Sequence, residues 1–179
     1  MFDVLVIGGG HSGVEAAAVA DRLGAKTALV TLDLTKIGVM SCNPAIGGVG
    51  KGHLVKELDA FDGVMPRAID KACIQFRMLN ASKGPAVRGP RAQADRRLYA
   101  QAVRDHLEKE SSVSLIEGEV TRFIFDGTRV TGVELSDGRE IAAKTAILTS
   151  GTFLGGQTFI GTEIENEGRA GEASCTDLS

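Results

Sequence analysis

Apolar residues in this chain fall in short runs, each cut off by glycine or charge. Phe2 to Ile7 reads as a buried strand. A glycine turn follows at Gly8–Gly13, then a helix over Val14 to Leu23 with Ala16, Ala17 and Ala20 on one small-residue face, stopped by Gly24. Lys26 to Thr31 is a second apolar strand. Residues 2–31 therefore predict a βαβ unit with a right-handed crossover. Residues 33–52 form a long glycine-rich loop, but Ile37, Val39, Met40, Ile46 and Val49 make it too apolar for disorder. Residues 53–61 look helical, and a longer helix is expected over 91–109, after Pro90. A short strand follows at Val113–Glu117. Val120–Phe125, Arg129–Leu135 and Arg139–Ala142 alternate with turns at Asp126-Gly127 and Asp137-Gly138, strong hairpin signals. Thr145–Leu148 reads as another buried strand, entering Ser150-Gly151. Residues 163–179 are polar and predict no element. The fold class expected is α/β, Rossmann-like, with a small antiparallel β-sheet inserted at about 120–142.

The turn spells Gly8-Gly9-Gly10-His11-Ser12-Gly13, which satisfies G-x-G-x-x-G. The pattern is weak alone and strong between a strand and a helix. Gly8 permits a tight turn, Gly10 lets backbone approach a pyrophosphate, and Gly13 lets helix and strand pack closely. The helix then offers free amides and its positive dipole end to the phosphates. The acid that binds ribose normally ends the second strand. Thr31 holds that place and Asp33 is the nearest carboxylate, so the residue is either Asp33 or Thr31.

Of 179 residues, 23 are glycine, clustered at 8–13, 47–52, 151–156 and 168–171, as suits backbone packed against a ligand or in tight turns. The net charge of −3 argues against a general nucleic-acid binder. Its distribution changes that picture: residues 66–104 hold nine Lys/Arg against two Asp. Lys83, Arg88, Arg91, Arg96 and Arg97 are the candidates for contact with an RNA backbone. Cys42, Cys73 and Cys175 make no secreted disulfide framework, no signal peptide is expected before the first strand, and no apolar run is long enough for a membrane. A reducing cytoplasm is expected. The His and Cys residues show no metal-ligand spacing, so no metal is expected.

Ser41 to His53 superficially suggests a phosphate-binding loop. Ala45 stands where its first glycine should be and Gly52 replaces the magnesium-binding Ser/Thr, so a nucleoside triphosphate is rejected. Cys42 has no second cysteine within five residues, which argues against a flavin–disulfide relay. Beside Lys51 and His53 it is a candidate low-pKa nucleophile or acid; the alternative is a buried structural thiol.

The antiparallel strands at 120–142, followed by a strand into Ser150-Gly151, resemble flavoproteins of the glutathione-reductase type, which favours FAD. More specifically, SCNPAIGGVGKGHLVKELDA, IQFRMLNASKGPAVRGPRAQADR, LTSGTFL and GRAGE closely resemble the GidA/MnmG family, from Asp3 to about Gly171. That resemblance implies the FAD-dependent subunit of the enzyme that places a carboxymethylaminomethyl group on carbon 5 of the tRNA wobble uridine. It implies FAD pyrophosphate on Gly8, Gly9, Gly10, His11, Ser12 and Gly13, and a backbone contact from Val120 on the adenine side. Cys175 falls where the family commonly has serine near the cofactor. Cys42 matches the family's functionally implicated cysteine, whose partner cysteine lies in a later part of the family's chain. Also implied are NADH as reductant, methylene-tetrahydrofolate as one-carbon donor, tRNA as substrate, an MnmE-type GTPase as partner and a homodimer. The whole chain is then expected to be one FAD-binding domain, 1–179, the N-terminal portion of a longer protein. A generic FAD/NAD oxidoreductase and a non-catalytic truncated FAD-binding fragment are the alternatives.

Overall fold

The computed structural model describes residues 1–41, 43–169, 171–175 and 178. In chain order the elements are β1 (Phe2–Ile7), α1 (His11–Arg22), β2 (Thr27–Thr31), β3 (Ala45–Gly47), α2 (Lys51–Ala60), α3 (Val64–Ala72), β4 (Cys73–Leu79), β5 (Gly89–Ala94) and α4 (Arg96–Lys109). They continue with β6 (Ser114–Glu117), β7 (Val120–Asp126), β8 (Arg129–Leu135), β9 (Glu140–Leu148), β10 (Thr158–Ile160), β11 (Glu163–Glu165), β12 (Glu167–Arg169) and β13 (Glu172–Ala173). The chain divides into two compact units, Met1–Thr35 with Val113–Ser179, and Lys36–Ser112.

The first unit is built on a six-stranded sheet of order β6-β2-β1-β9-β8-β7. β1 pairs parallel with β2 and β9, and β2 parallel with β6. β7, β8 and β9 form the expected antiparallel meander. Gly127 and Gly138 take the positive φ values of +60° and +82° that the two Asp-Gly turns require. The separate strands anticipated at 139–142 and 145–148 are one continuous β9. It runs from the meander straight into the parallel sheet, because Gly132–Glu134 and Phe2–Ile7 pair with successive stretches of it. Its last residues differ from expectation: Ile147 and Leu148 are 38% and 42% exposed. The core joins Leu5, Ile7, Ala28 and Val30 to Val133, Leu135, Ile141 and Ala143.

The second unit carries a three-stranded antiparallel sheet of order β3-β5-β4 and the helices α2, α3 and α4. The helix anticipated from residue 91 begins only at Arg96. Gly89–Ala94 is extended because it pairs on both sides, with β3 and β4, and Asp95 then caps α4 by accepting from the Arg97 and Leu98 amides at 2.9 Å each. α3 and α4 are tied by one carboxylate. Glu110 Oε2 takes Arg67 at 3.0 Å and lies 3.0 Å from His106 Nδ1, while Lys71 stands 3.5 Å from Oε1.

These contacts, the His106 bond first, hold the Glu110 carboxyl below its ordinary 4.5. A carboxylate with a depressed folded-state pKa stabilises above its unfolded pKa and loses that contribution as pH falls through the folded value. The loss is therefore confined to pH below about 4.5, and it is small because the partners are partly exposed. Glu110→Gln is expected to flatten the acid limb of a Tm-versus-pH curve below roughly pH 4.5. An acid limb as steep as the parent's would refute the assignment.

Candidate dinucleotide site

Four parallel strands end on one edge of the first unit's sheet: β1 at Ile7, β2 at Thr31, β6 at Glu117 and β9 at Leu148. Because β2 lies on one side of β1 and β9 on the other, the strand order reverses at β1. That is where an open α/β sheet leaves a crevice for a ligand. Backbone bonds hold the loops leaving this edge: the Gly8 amide donates to Val30 O at 2.8 Å, Gly118 to Thr31 O at 2.9 Å and Thr149 to Ile7 O at 2.8 Å.

The three motif glycines are required for different reasons. Gly8 sits at φ +111°, and a Cβ there would lie 2.4 Å from Thr149 O. A Cβ on Gly13 would lie 1.8 Å from Gly8 O, so helix and turn can approach this closely only without one. Gly10 is different. It adopts an ordinary extended backbone (φ −73°, ψ −178°), it is exposed, and a Cβ would meet nothing within 4 Å. Nothing among the described residues requires glycine at that position; what a side chain would fill is the open space before α1. The first turn of α1 has no side-chain cap and no acid, so its positive end faces that space uncompensated. A pyrophosphate fits there: the residues present supply amides, dipole and clearance.

Gly9 is buried, His11 opens α1 half-buried, and Ser12 is exposed on the first turn. Thr149, which the motif reading missed, locks the turn: its hydroxyl donates to Ile7 O at 2.8 Å and lies 3.2 Å from Gly8 O. Its sequence signals are its place between a strand and Ser150-Gly151 and its inclusion in the run LTSGTFL. Asp33 Oδ1 accepts from the Thr35 amide at 2.7 Å and its hydroxyl at 2.6 Å, so that oxygen already caps a short helical turn. Glu117, also unforeseen, accepts from the Leu34 amide at 3.1 Å through Oε2. Val120, at the start of β7, is 5% exposed and pairs with Leu135 of β8. The Cys175 thiol donates to Glu119 Oε1 at 3.2 Å, its amide to Phe153 O at 2.9 Å, and its carbonyl accepts from Gly155 at 2.8 Å.

Cys42 lies outside the described residues. The five basic candidates all belong to the second unit. Lys83 and Arg88 lie in the β4–β5 connection, Arg91 is on β5, and Arg96 and Arg97 start α4 beyond the other end of that strand. At about 3.3 Å per extended residue, Arg88 and Arg96 are separated by some 25 Å of chain, a stripe and not a cluster. All but the half-buried Arg91 are exposed. Among the described residues no group of three His, Cys, Asp or Glu could hold a metal ion, and no helix is long and apolar enough to cross a membrane.

The profile of the family described as Glucose inhibited division protein A matches residues 3–179. The chain belongs to the GidA family. Its similarity to curated GidA-family relatives is high: 59% identity over 181 residues with a protein of Granulibacter bethesdensis and 56% over 178 with one of Zymomonas mobilis. Both are named tRNA uridine 5-carboxymethylaminomethyl modification enzyme MnmG. Each alignment takes in 99% of this chain and 29% of the relative, so the chain spans under a third of those proteins. The structure of Aquifex aeolicus GidA superposes with a TM-score of 0.93 at 47% identity, over 99% of this chain and 29% of that one. The GidA-related protein of Thermus thermophilus shares the fold, with a TM-score of 0.70 at 23% identity over 99% of this chain and 65% of that one. The fold is the Rossmann-like α/β architecture expected of a GidA-family FAD-binding region.

Proposed function

We propose that this GidA-family chain is the FAD-holding part of an enzyme that builds a carboxymethylaminomethyl group on carbon 5 of the tRNA wobble uridine. The observation that supports FAD most is the open space at Gly10, where a Cβ would have no described atom within 4 Å, directly before the first turn of α1. In this reading the amides at the start of α1, within Gly8–Gly13, bind the pyrophosphate, and the backbones of Val120 and Cys175 border the cofactor. Asp33 or Thr31 meets the ribose. Bound FAD would supply the redox chemistry, with NADH as reductant and methylene-tetrahydrofolate as one-carbon donor. Uridine carbon 5 is a poor nucleophile, and addition of a Cys42 thiolate at carbon 6 would raise electron density there. Lys83, Arg88, Arg91, Arg96 and Arg97 would track the tRNA backbone. An MnmE-type GTPase, a homodimer and a cytoplasmic setting belong to the same reading of the full-length protein.

The test is a pair of measurements. The chain should retain FAD after gel filtration, and charge reversal along the basic stripe should reduce the salt dependence of tRNA binding. A colourless protein that takes up no added FAD would sink the reading. Within the full-length polypeptide, Cys42→Ser is expected to keep flavin and to lose wobble-uridine modification by at least ~100-fold, a common cost of removing a group that acts on the reacting atoms. Full modification by this variant, read by mass spectrometry of tRNA nucleosides, would remove Cys42 from catalysis.

A further inference from the structure

The second unit's sheet has two faces of opposite character. Ile46, Phe76, Met78, Pro90 and Ala92 line a groove of about 340 Å³ together with residues of α2 and α3. Strand alternation then places Gln75, Arg77, Arg91 and Gln93 on the opposite face. There Arg77 sits directly across from Arg91, and Gln75 directly across from Gln93. Like charges placed opposite each other destabilise a sheet, since their Cβ atoms lie only about 5 Å apart. Nothing in the described chain relieves the repulsion: no ion pair or side-chain hydrogen bond among the described residues involves Arg77 or Arg91. The nearest acids in sequence point elsewhere. Asp95 caps α4, and Asp59 and Asp70 line the groove on the other face. β3 presents Ala45 and Gly47 beside Gln93 and Arg91, leaving a floor without bulk or negative charge. Lys51 Nζ, 3.1 Å from Ala45 O, adds a third cation at that edge.

We propose that Arg77 and Arg91 form a clamp for a phosphate group, with Gln75 and Gln93 as neutral donors beside it. Two planar guanidiniums side by side present parallel N–H pairs that match the oxygens of one phosphate, a geometry lysine cannot reproduce. An anion between them turns an unfavourable cross-strand pair into a favourable three-body contact. The phosphate belongs either to an RNA backbone, in which case the clamp deepens the tRNA reading, or to a free nucleotide.

The experiment compares the parent with Arg77→Gln/Arg91→Gln and Arg77→Lys/Arg91→Lys. Thermal unfolding is followed with and without inorganic pyrophosphate, and binding of a fluorescent RNA oligonucleotide and of ADP is titrated at several salt concentrations. Without anion, the glutamine pair is expected to unfold no earlier than the parent, because it removes repulsion; a purely structural role predicts the reverse. Pyrophosphate should raise Tm in the parent and not in the glutamine pair. RNA affinity should fall roughly 10-fold, the salt slope should drop by about one to two, and the lysine pair should recover only part of the loss. A loss for ADP alone would assign the clamp to a free nucleotide. Unchanged RNA, ADP and pyrophosphate responses in the glutamine pair would overturn the proposal. FAD content reads out the first unit separately, so failure of the clamp and failure of the flavin assignment give different results.

Discussion

Gly10→Val is expected to leave the chain folded and to strip it of flavin. The backbone there is one that any residue adopts, and a Cβ there has no described atom within 4 Å, so stability should stay within about 0.5 kcal/mol of the parent, as for a benign surface change. The branched side chain would occupy the clearance in front of α1, where a pyrophosphate needs backbone within hydrogen-bond reach. Forcing bulk into an occupied site costs about 1–3 kcal/mol or more, so FAD affinity should drop by roughly 100-fold. The check is the visible flavin absorbance of the purified variant beside its thermal unfolding curve. A variant as yellow as the parent would show that no dinucleotide passes this glycine.

Gly13→Val should do the opposite damage first. Its Cβ would overlap Gly8 O at 1.8 Å and crowd the Thr149 hydroxyl at 2.8 Å, and both of those atoms are held by the β1–α1 turn and the end of β9. The helix must move off the sheet or the turn must open. We expect a destabilisation at the exceptional end of single substitutions, about 4–5 kcal/mol, with flavin loss as a consequence of unfolding. Denaturant titration separates the two glycines. If Gly13→Val were as stable as Gly10→Val, the close packing of helix on strand described here would be wrong.

How much of this was legible beforehand follows from where each signal comes from. The βαβ unit was readable because its cause is local: an apolar run, a glycine turn and a small-residue helix lie within thirty residues of each other. The Asp-Gly turns were readable for the same reason, since Gly127 and Gly138 need φ values that other residues resist. The second unit's sheet was not. β3 is three residues long inside a glycine-rich loop and exists only because Gln93, Ala92 and Arg91 pair with it from some fifty residues away. β5 is built from Gly, Pro, Ala, Arg and Gln, poor strand formers that pairing on both sides overrides. Its alternation of Pro90, Ala92 and Ala94 against Arg91 and Gln93 was a period-two signal, outweighed by helix-forming residues immediately downstream. In the candidate site the glycines were legible by motif. Thr149 and Glu117 were not, because each acts through a partner more than eighty residues away in sequence.

β9 belongs to two kinds of sheet at once. Its first half is the outer arm of a meander, and its second half lies against β1 and ends beside the glycine turn. Nine residues without a break make a stiff rod shared by both, so the hairpins have no hinge about which to swing independently of the crevice. Pulling on the meander would strain the crevice floor, and a molecule seated there would stiffen the hairpins. Slowed amide exchange at Gly132–Glu134 upon flavin uptake, at a distance from the phosphates themselves, is how that mechanical continuity would become visible.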